Sequence, residues 1–129
     1  MLEAGIKGTG SVEVVRENTA AAVGSGMLEV FATPMMIALM EKTACESVAP
    51  YLEKGSGTVG TELNVKHVAA TPIGMQVTCE TELVEVDGRR LVFHVKASDE
   101  AGLIGEGTHE RFIINNEKFQ SKANGKLNK

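Results

Sequence analysis

The sequence predicts an α+β domain, in which one long apolar helix packs against a curved antiparallel sheet. The segment from Phe31 to Leu52 is apolar and has helical length, with a single acid, Glu41, in its first half. Four segments with strand patterns follow it, between Thr58 and Asn115. The 129 residues, 43% of them hydrophobic, suit one globular domain spanning residues 1–129.

Local chemistry identifies the elements of the first half. Gly8 to Glu17 alternates apolar and polar residues, which predicts a first strand. Asn18 to Gly26 is rich in Ala, Gly and Ser, which predicts a loop. Thr33 as the N-cap and Pro34 at the first helical position begin a helix that runs to about Tyr51. Since that helix is apolar on nearly every side, we expect other structure to cover it.

The second half is predicted to form strands joined by tight turns. The alternating segments on either side of Asp87-Gly88 indicate a β-hairpin. One face of the sheet would pack on the helix, and an edge strand could extend the sheet in a homodimer. The predicted elements are strands at Thr58–Val68, Gln76–Val86, Arg89–Ser98 and Leu103–Asn115, then a short helix at Asn116–Lys126.

Composition argues against several classes of protein. The net charge of −4 disfavours a nucleic-acid surface, and no apolar run reaches the ~18 residues of a membrane span. The two cysteines form neither a CxxC motif nor a Cys/His cluster, so we expect no metal site. Gly55–Gly60 matches GxGxxG but precedes a strand, so no dinucleotide cofactor is expected. The start MLEAGIKGTG lacks the apolar core of a signal peptide, and we expect a cytoplasmic protein.

A lone acid in an apolar helix and a lone histidine at a strand end are the candidate chemical groups. Glu41 follows Thr33 by eight residues, which places both on one helix face. His67 closes a strand and has a side chain suited to proton transfer near neutral pH. Each of the three residues also has a possible structural role. Glu41 could form an ion pair with Lys42 or Lys66, His67 could be a hydrogen-bonded core histidine, and Thr33 could act only as the N-cap.

Four separated segments resemble one known family. They are VFATPMMIALMEKTACESVAPYL, GTELNVKHVAATPIGMQVT, VDGRRLVFHVKASD and IGEGTHERFIINNEKF, which cover about residues 29–120. Together they are similar to the hotdog-fold acyl-CoA thioesterases, and most closely to the fluoroacetyl-CoA thioesterase-like group. The resemblance implies a cofactor-free, homodimeric enzyme that hydrolyses a short-chain acyl-CoA to a carboxylic acid and free CoA.

The resemblance also implies functional residues. It implies catalytic roles for Thr33, Glu41 and His67, and substrate contacts for Gly60 and Arg111. Gly60 and Arg111 each have a structural alternative. Gly60 could be a strand-entry glycine, and Arg111 could form a surface ion pair with Glu110 or Glu106. His109, two residues before Arg111, is a weaker candidate for the site.

The segment before the helix departs from the family pattern. The fluoroacetyl-specific enzyme has phenylalanines there that cover a small acyl group, whereas Ala22–Met27 contains none. Met27 is expected to contact the substrate, without strong selection for fluoroacetyl.

Two further questions stay open from the sequence. Glu41 could attack the thioester and form an anhydride, or it could activate water. A non-catalytic acyl-CoA-binding protein on the same fold is the alternative function. A hotdog dehydratase is disfavoured, because the helix acid is Glu and no Asp lies near His67 in the sequence.

Overall fold

The computed structural model describes residues 1–128 as a five-stranded antiparallel sheet with a long helix against one face, so the predicted α+β architecture is confirmed. The strand order is β1-β3-β4-β5-β2. Within these residues, no helix combines the length and apolar character that crossing a membrane requires. The strands are β1 (Lys7–Glu13), β2 (Ser56–His67), β3 (Gln76–Asp87), β4 (Arg90–Asp99) and β5 (Gly102–Asn115), and the helices are α1 (Ala20–Val23), α2 (Thr33–Val48) and α3 (Asn116–Asn124).

Helix α2 begins one residue earlier than its sequence signals indicate. Ala32 occupies the N-cap position and makes no side-chain capping bond, while Thr33 is already helical. The prediction of Thr33 as N-cap is therefore wrong. Pro34 suits the first turn, because it has no N–H to leave unpaired there. The Thr33 hydroxyl is consequently free to bond outside the helix.

The buried face of α2 forms the centre of the core against β1, β3 and β4. Gly8 in β1 permits a close approach, because a Cβ atom there would lie 2.7 Å from the Cβ of Ser47. Burial of the apolar side chains stabilises the fold by about 25 cal/mol per Å² removed from water. The buried residues of α2 are Met36, Leu39, Met40, Thr43, Ala44 and Val48.

The predicted hairpin between β3 and β4 is confirmed. The ladder closes at the pair Asp87–Arg90, and Gly88 has φ +61°, a left-handed conformation that glycine adopts readily. The alternation predicted from the sequence is present: one face of each strand is buried, and His94 on the other face of β4 is exposed. The buried residues are Val77, Cys79, Thr81 and Leu83 on β3, and Leu91, Phe93, Val95 and Ala97 on β4.

The segment predicted as a loop before α2 contains helix α1. Thr19 caps it, accepting a hydrogen bond from the backbone N–H of Ala22 at 3.3 Å. Gly24 ends it in a left-handed conformation with φ +83°. The loop prediction was wrong for Ala20–Val23, because this capping chemistry outweighed the apparent flexibility of the Ala- and Gly-rich composition.

A bulge in β2 decides which of its residues face the helix. The pairing of β2 with β5 shifts between Gly60 and Glu62, so Thr61 is an additional residue. Side chains alternate between the two faces of a strand, so residues seven apart normally point to opposite faces. The extra residue reverses the alternation and brings Gly60 and His67 to the helix side of the sheet.

Candidate active site

Thr33 and His67 form a hydrogen-bonded pair where α2 begins and β2 ends. Thr33 Oγ1 lies 2.7 Å from His67 Nδ1. Burial lowers the pKa of His67 below its ordinary value, which favours the neutral imidazole at neutral pH. The Nε2 atom is buried and has no hydrogen-bond partner among residues 1–128. The ring is therefore oriented through Nδ1, while Nε2 makes no competing hydrogen bond in this part of the chain.

A cavity of about 280 Å³ opens beside this pair. Thr33 and His67 contribute to its wall together with small side chains that include Ala20, Ser25 and Ala69. The expected substrate residue Met27 does not contribute to it: its side chain is 92% exposed.

Glu41 belongs to a second group, around Gly60 in the middle of β2. Its Oε2 lies 3.7 Å from a terminal guanidinium nitrogen, NH1, of Arg111. A Cβ atom at Gly60 would be only 2.5 Å from the same oxygen, so only glycine lets the carboxylate lie on this stretch of backbone. The ion-pair partner of Glu41 is therefore Arg111 rather than Lys42 or Lys66.

Arg111 is 6% exposed and its guanidinium is held by hydrogen bonds. Its Nε donates to Thr58 Oγ1 at 2.8 Å, and its NH2 donates to the Thr58 carbonyl oxygen at 2.9 Å. NH1 lies 3.0 Å from His109 Nε2. The alternative of a surface ion pair with Glu110 or Glu106 is wrong. Such a buried cation is costly unless it is paired, and here every guanidinium nitrogen has a partner.

The structure thus brings the predicted residues together in two groups. Thr33 contacts His67, whereas Glu41 contacts Gly60 and Arg111. Eight residues of α2 separate Thr33 from Glu41 by about 12 Å along the helix axis. In the part of the chain that the structure describes, no hydrogen bond or ion pair joins Glu41 to Thr33 or His67. Within one chain, the acid and the histidine therefore have different partners.

Sequence reasoning missed Thr58 and gave His109 little weight. Both residues could have been identified from the antiparallel register of β2 and β5. Gly60 pairs with Arg111, so alternate residues on the two strands, Thr58 with Gly60 and His109 with Arg111, share the helix side. Over residues 1–128, no cluster of three or more His, Cys, Asp or Glu side chains could hold a metal ion.

A family model described as fluoroacetyl-CoA-specific thioesterase matches residues 14–117. The chain belongs to this family. A fluoroacetyl-CoA thioesterase from Streptantibioticus cattleyicolor is 51% identical over 98 residues, which cover 76% of this chain and 70% of that protein. The hotdog fold class and the class of thioester hydrolase, both predicted from the sequence, are thereby confirmed.

Solved structures agree with this membership. A fluoroacetyl-CoA thioesterase structure has a TM-score of 0.92 at 41% identity, covering 98% of both chains. A thioesterase-superfamily protein of unassigned function from Thermus thermophilus has a TM-score of 0.89 at 26% identity, covering 98% of this chain and 93% of that one. The fold of the family is therefore retained across nearly the whole chain.

Proposed function

We propose that the protein hydrolyses short-chain acyl-CoA thioesters to a carboxylic acid and free CoA, with Thr33, Glu41 and His67 as catalytic residues. One observation carries the proposal: the Glu41 carboxylate lies against the bare backbone of Gly60 beside the buried cation of Arg111, in a chain of a thioesterase family. An acyl group could approach this carboxylate closely, because no side chain projects from Gly60.

Glu41 starts the reaction by one of two routes. It removes a proton from water, whose oxygen attacks the thioester carbonyl carbon, or its own oxygen attacks and forms an anhydride that water then hydrolyses. In both routes the C–S bond breaks, and the CoA sulfur leaves as a thiolate that takes up a proton. Arg111 places its positive charge 3.7 Å from the carboxylate and helps to hold it in position.

Thr33 and His67 supply the remaining needs of thioester hydrolysis. The Thr33 hydroxyl and the positive end of the α2 dipole suit the negative oxygen that develops on the carbonyl. His67, neutral and oriented by Thr33, suits proton transfer to or from water or the leaving sulfur.

Edge strand β2 supports a homodimer as the active unit. It lies at one end of the sheet and is 12 residues long, and proteins seldom leave so long an edge uncovered. In an antiparallel pair of two β2 strands, directly opposed residues point to the same face. If the two-fold axis lies at Asn64, so that Asn64 of one copy is opposite Asn64 of the other, the extra residue Thr61 brings His67 of one copy opposite Gly60 of the other. The Thr33–His67 pair of one copy would then face Glu41 of its partner.

The dimer predicts the mass of the protein in solution. Sedimentation equilibrium at micromolar concentration should give about twice the 13.7 kDa of one chain. A monomer with full hydrolytic activity would contradict this assembly.

The cavity beside Thr33 and His67 suggests acyl groups of two to four carbons with little preference for fluorine. Ala22–Met27 carries no aromatic side chain, and Met27 is exposed. A methylene-sized difference in a pocket is worth only ~1–3 kcal/mol. The segment Ala22–Met27 adds only Ser25 to the cavity wall, which also includes Phe31, so we expect this segment to discriminate weakly among near-isosteric acyl groups.

A panel of substrates tests both the activity and its range. We expect kcat/KM values for fluoroacetyl-, acetyl-, propionyl- and butyryl-CoA, measured by release of free thiol, to lie within about 10²-fold of one another. Each value is divided by the rate of hydroxide-catalysed hydrolysis, because fluorine activates the carbonyl by itself. No release from any substrate would favour the acyl-CoA-binding alternative, and a fluoroacetyl preference above about 10⁴-fold would contradict the proposed range.

A variant pair isolates the contribution of the segment before α2. Met27→Phe adds an aromatic group, whereas Met27→Leu changes shape without adding one. The phenylalanine variant should shift selectivity toward the smallest acyl groups relative to the leucine control.

We place the protein in the cytoplasm. Both Cys45 and Cys79 are free thiols, which suits a reducing compartment. Fractionation of the producing cells should recover the protein with cytoplasmic markers, and recovery from the medium would contradict this.

A further inference from the structure

His109 has two hydrogen-bond partners that together fix its protonation. It lies on β5, is 1% exposed, and has Nδ1 2.9 Å from the backbone carbonyl oxygen of Glu62. A carbonyl oxygen only accepts, so Nδ1 carries the hydrogen. The Nε2 atom lies 3.0 Å from Arg111 NH1, and a guanidinium only donates. Nε2 must therefore be the unprotonated nitrogen of a neutral ring.

The groups that surround His109 maintain this state. Arg111 lies on the same strand, Glu41 faces it from α2, and the Phe93 ring on β4 lies 6.2 Å away between centroids. Burial is the main cause that lowers the pKa of His109 below its ordinary value. The hydrogen bond to the Glu62 carbonyl opposes this shift, the charge of Arg111 adds to it, and the charge of Glu41 opposes it. A proton on Nε2 would point directly at the guanidinium.

Arg111 NH1 is the nitrogen that His109 and Glu41 share. The other guanidinium nitrogens are bound to Thr58, whereas NH1 lies between His109 Nε2 and Glu41 Oε2. NH1 has two hydrogens, so it can donate one to His109 and direct the other toward Glu41.

We propose that His109 is a positioning residue, whose unprotonated Nε2 holds Arg111 NH1 so that its second N–H faces the Glu41 carboxylate. The inference deepens the proposed function and rests on the role given there to Glu41. His109 does not touch the substrate: it acts through Arg111.

Two substitutions separate the two hydrogen bonds of His109. Asparagine has its amide nitrogen near the position of Nδ1, so His109→Asn retains the bond to Glu62 and loses the acceptor for Arg111. Glutamine reaches the position of Nε2, so His109→Gln retains an acceptor for Arg111 and loses the bond to Glu62. If His109 positions Arg111, His109→Asn should lower kcat/KM by about tenfold or more, and His109→Gln by about threefold at most. A loss of kcat/KM in His109→Gln that is larger than the loss in His109→Asn would overturn the proposal.

A double-mutant cycle distinguishes positioning from general support of the fold. In an Arg111→Met background, His109→Asn should cause no further loss of kcat/KM, because the group it positions is absent. Equal losses in both backgrounds would overturn the proposal. Melting temperatures of all four proteins show whether each variant is folded. If Arg111→Met does not fold, the comparison of His109→Asn with His109→Gln still tests the proposal.

Nuclear magnetic resonance of the imidazole nitrogens tests the geometry without any substrate. At pH 7, His109 of the wild-type protein should be protonated at Nδ1 and unprotonated at Nε2. A proton at Nε2 would overturn the proposal. An unreactive wild-type enzyme would refute the proposed function and leave this tautomer result intact, so the two failures are distinguishable.

Discussion

Replacing Glu41 by glutamine is expected to lower kcat on an acyl-CoA substrate by about 10²–10⁴-fold, because glutamine retains the shape but can neither accept a proton nor attack a carbonyl. Glu41→Gln should remain folded, since its side chain is 40% exposed and the amide oxygen still faces Arg111 at NH1. The measurement is thiol release under saturating substrate.

Glu46→Gln is the matched control for this variant. Glu46 lies on the same helix and is exposed to solvent, so its neutralisation should leave kcat near the wild-type value. A fall of less than about threefold for Glu41→Gln would make Glu41 a structural residue.

The smallest possible addition at Gly60 should be nearly as damaging. A Cβ atom there would lie 2.5 Å from Glu41 Oε2, 3.1 Å from His109 Cε1 and 3.3 Å from Arg111 NH1. Gly60→Ala must therefore displace the carboxylate, and a misplacement of about 1 Å can cost roughly 10²-fold in rate. The expected result is a loss of about 10²-fold in kcat/KM on acetyl-CoA.

Gly57→Ala provides the control on the same strand. The three atoms nearest to its Cβ would all belong to the side-chain amide of Asn116, the far end of a flexible side chain that can move away. Comparable losses of activity for the two alanine variants, with equal losses in melting temperature, would mean that Gly60 matters for strand stability alone.

Local chemistry made much of the fold predictable from the sequence. The apolar segment with Pro34 near its start identified α2, and Asp87-Gly88 identified the β3–β4 hairpin together with its buried faces. These signals depend on residues close together in the sequence, so they can be recognised without knowing the tertiary structure. Thr33 misled for the same reason: a helix-start threonine is usually a cap, but here its hydroxyl bonds a histidine 34 residues away.

The bulge at Thr61 and the partner of Glu41 were beyond sequence reasoning. Thr61 donates a hydrogen bond to the Glu110 carboxylate on β5 at 2.7 Å, a contact that depends on the pairing of two distant strands. The register of those strands also brings Arg111 opposite Gly60. Glu41 therefore finds a cation 70 residues away, rather than one of its neighbours on the helix.

The separation of Glu41 from the Thr33–His67 pair is the feature that most constrains the mechanism. Each group is internally ordered, and the free edge of β2 offers the means to join them across two copies. In the proposed dimer, assembly would be required for activity, because one copy alone does not bring the acid and the histidine together.

Mixed dimers test this central claim most directly. Glu41→Gln and His67→Asn chains should each have little activity as pure proteins. They are co-expressed with different tags so that mixed dimers form. If the proposed dimer is right, a mixed dimer keeps one complete site, in which Glu41 of the His67→Asn copy faces Thr33 and His67 of the Glu41→Gln copy. Random pairing makes about half of the dimers mixed, so about one quarter of wild-type activity should return. Co-expression of His67→Asn with Thr33→Val is the control and should restore nothing, because both changes affect the same half of the site. Activity no higher than that of the pure variants in the first mixture would contradict a shared site.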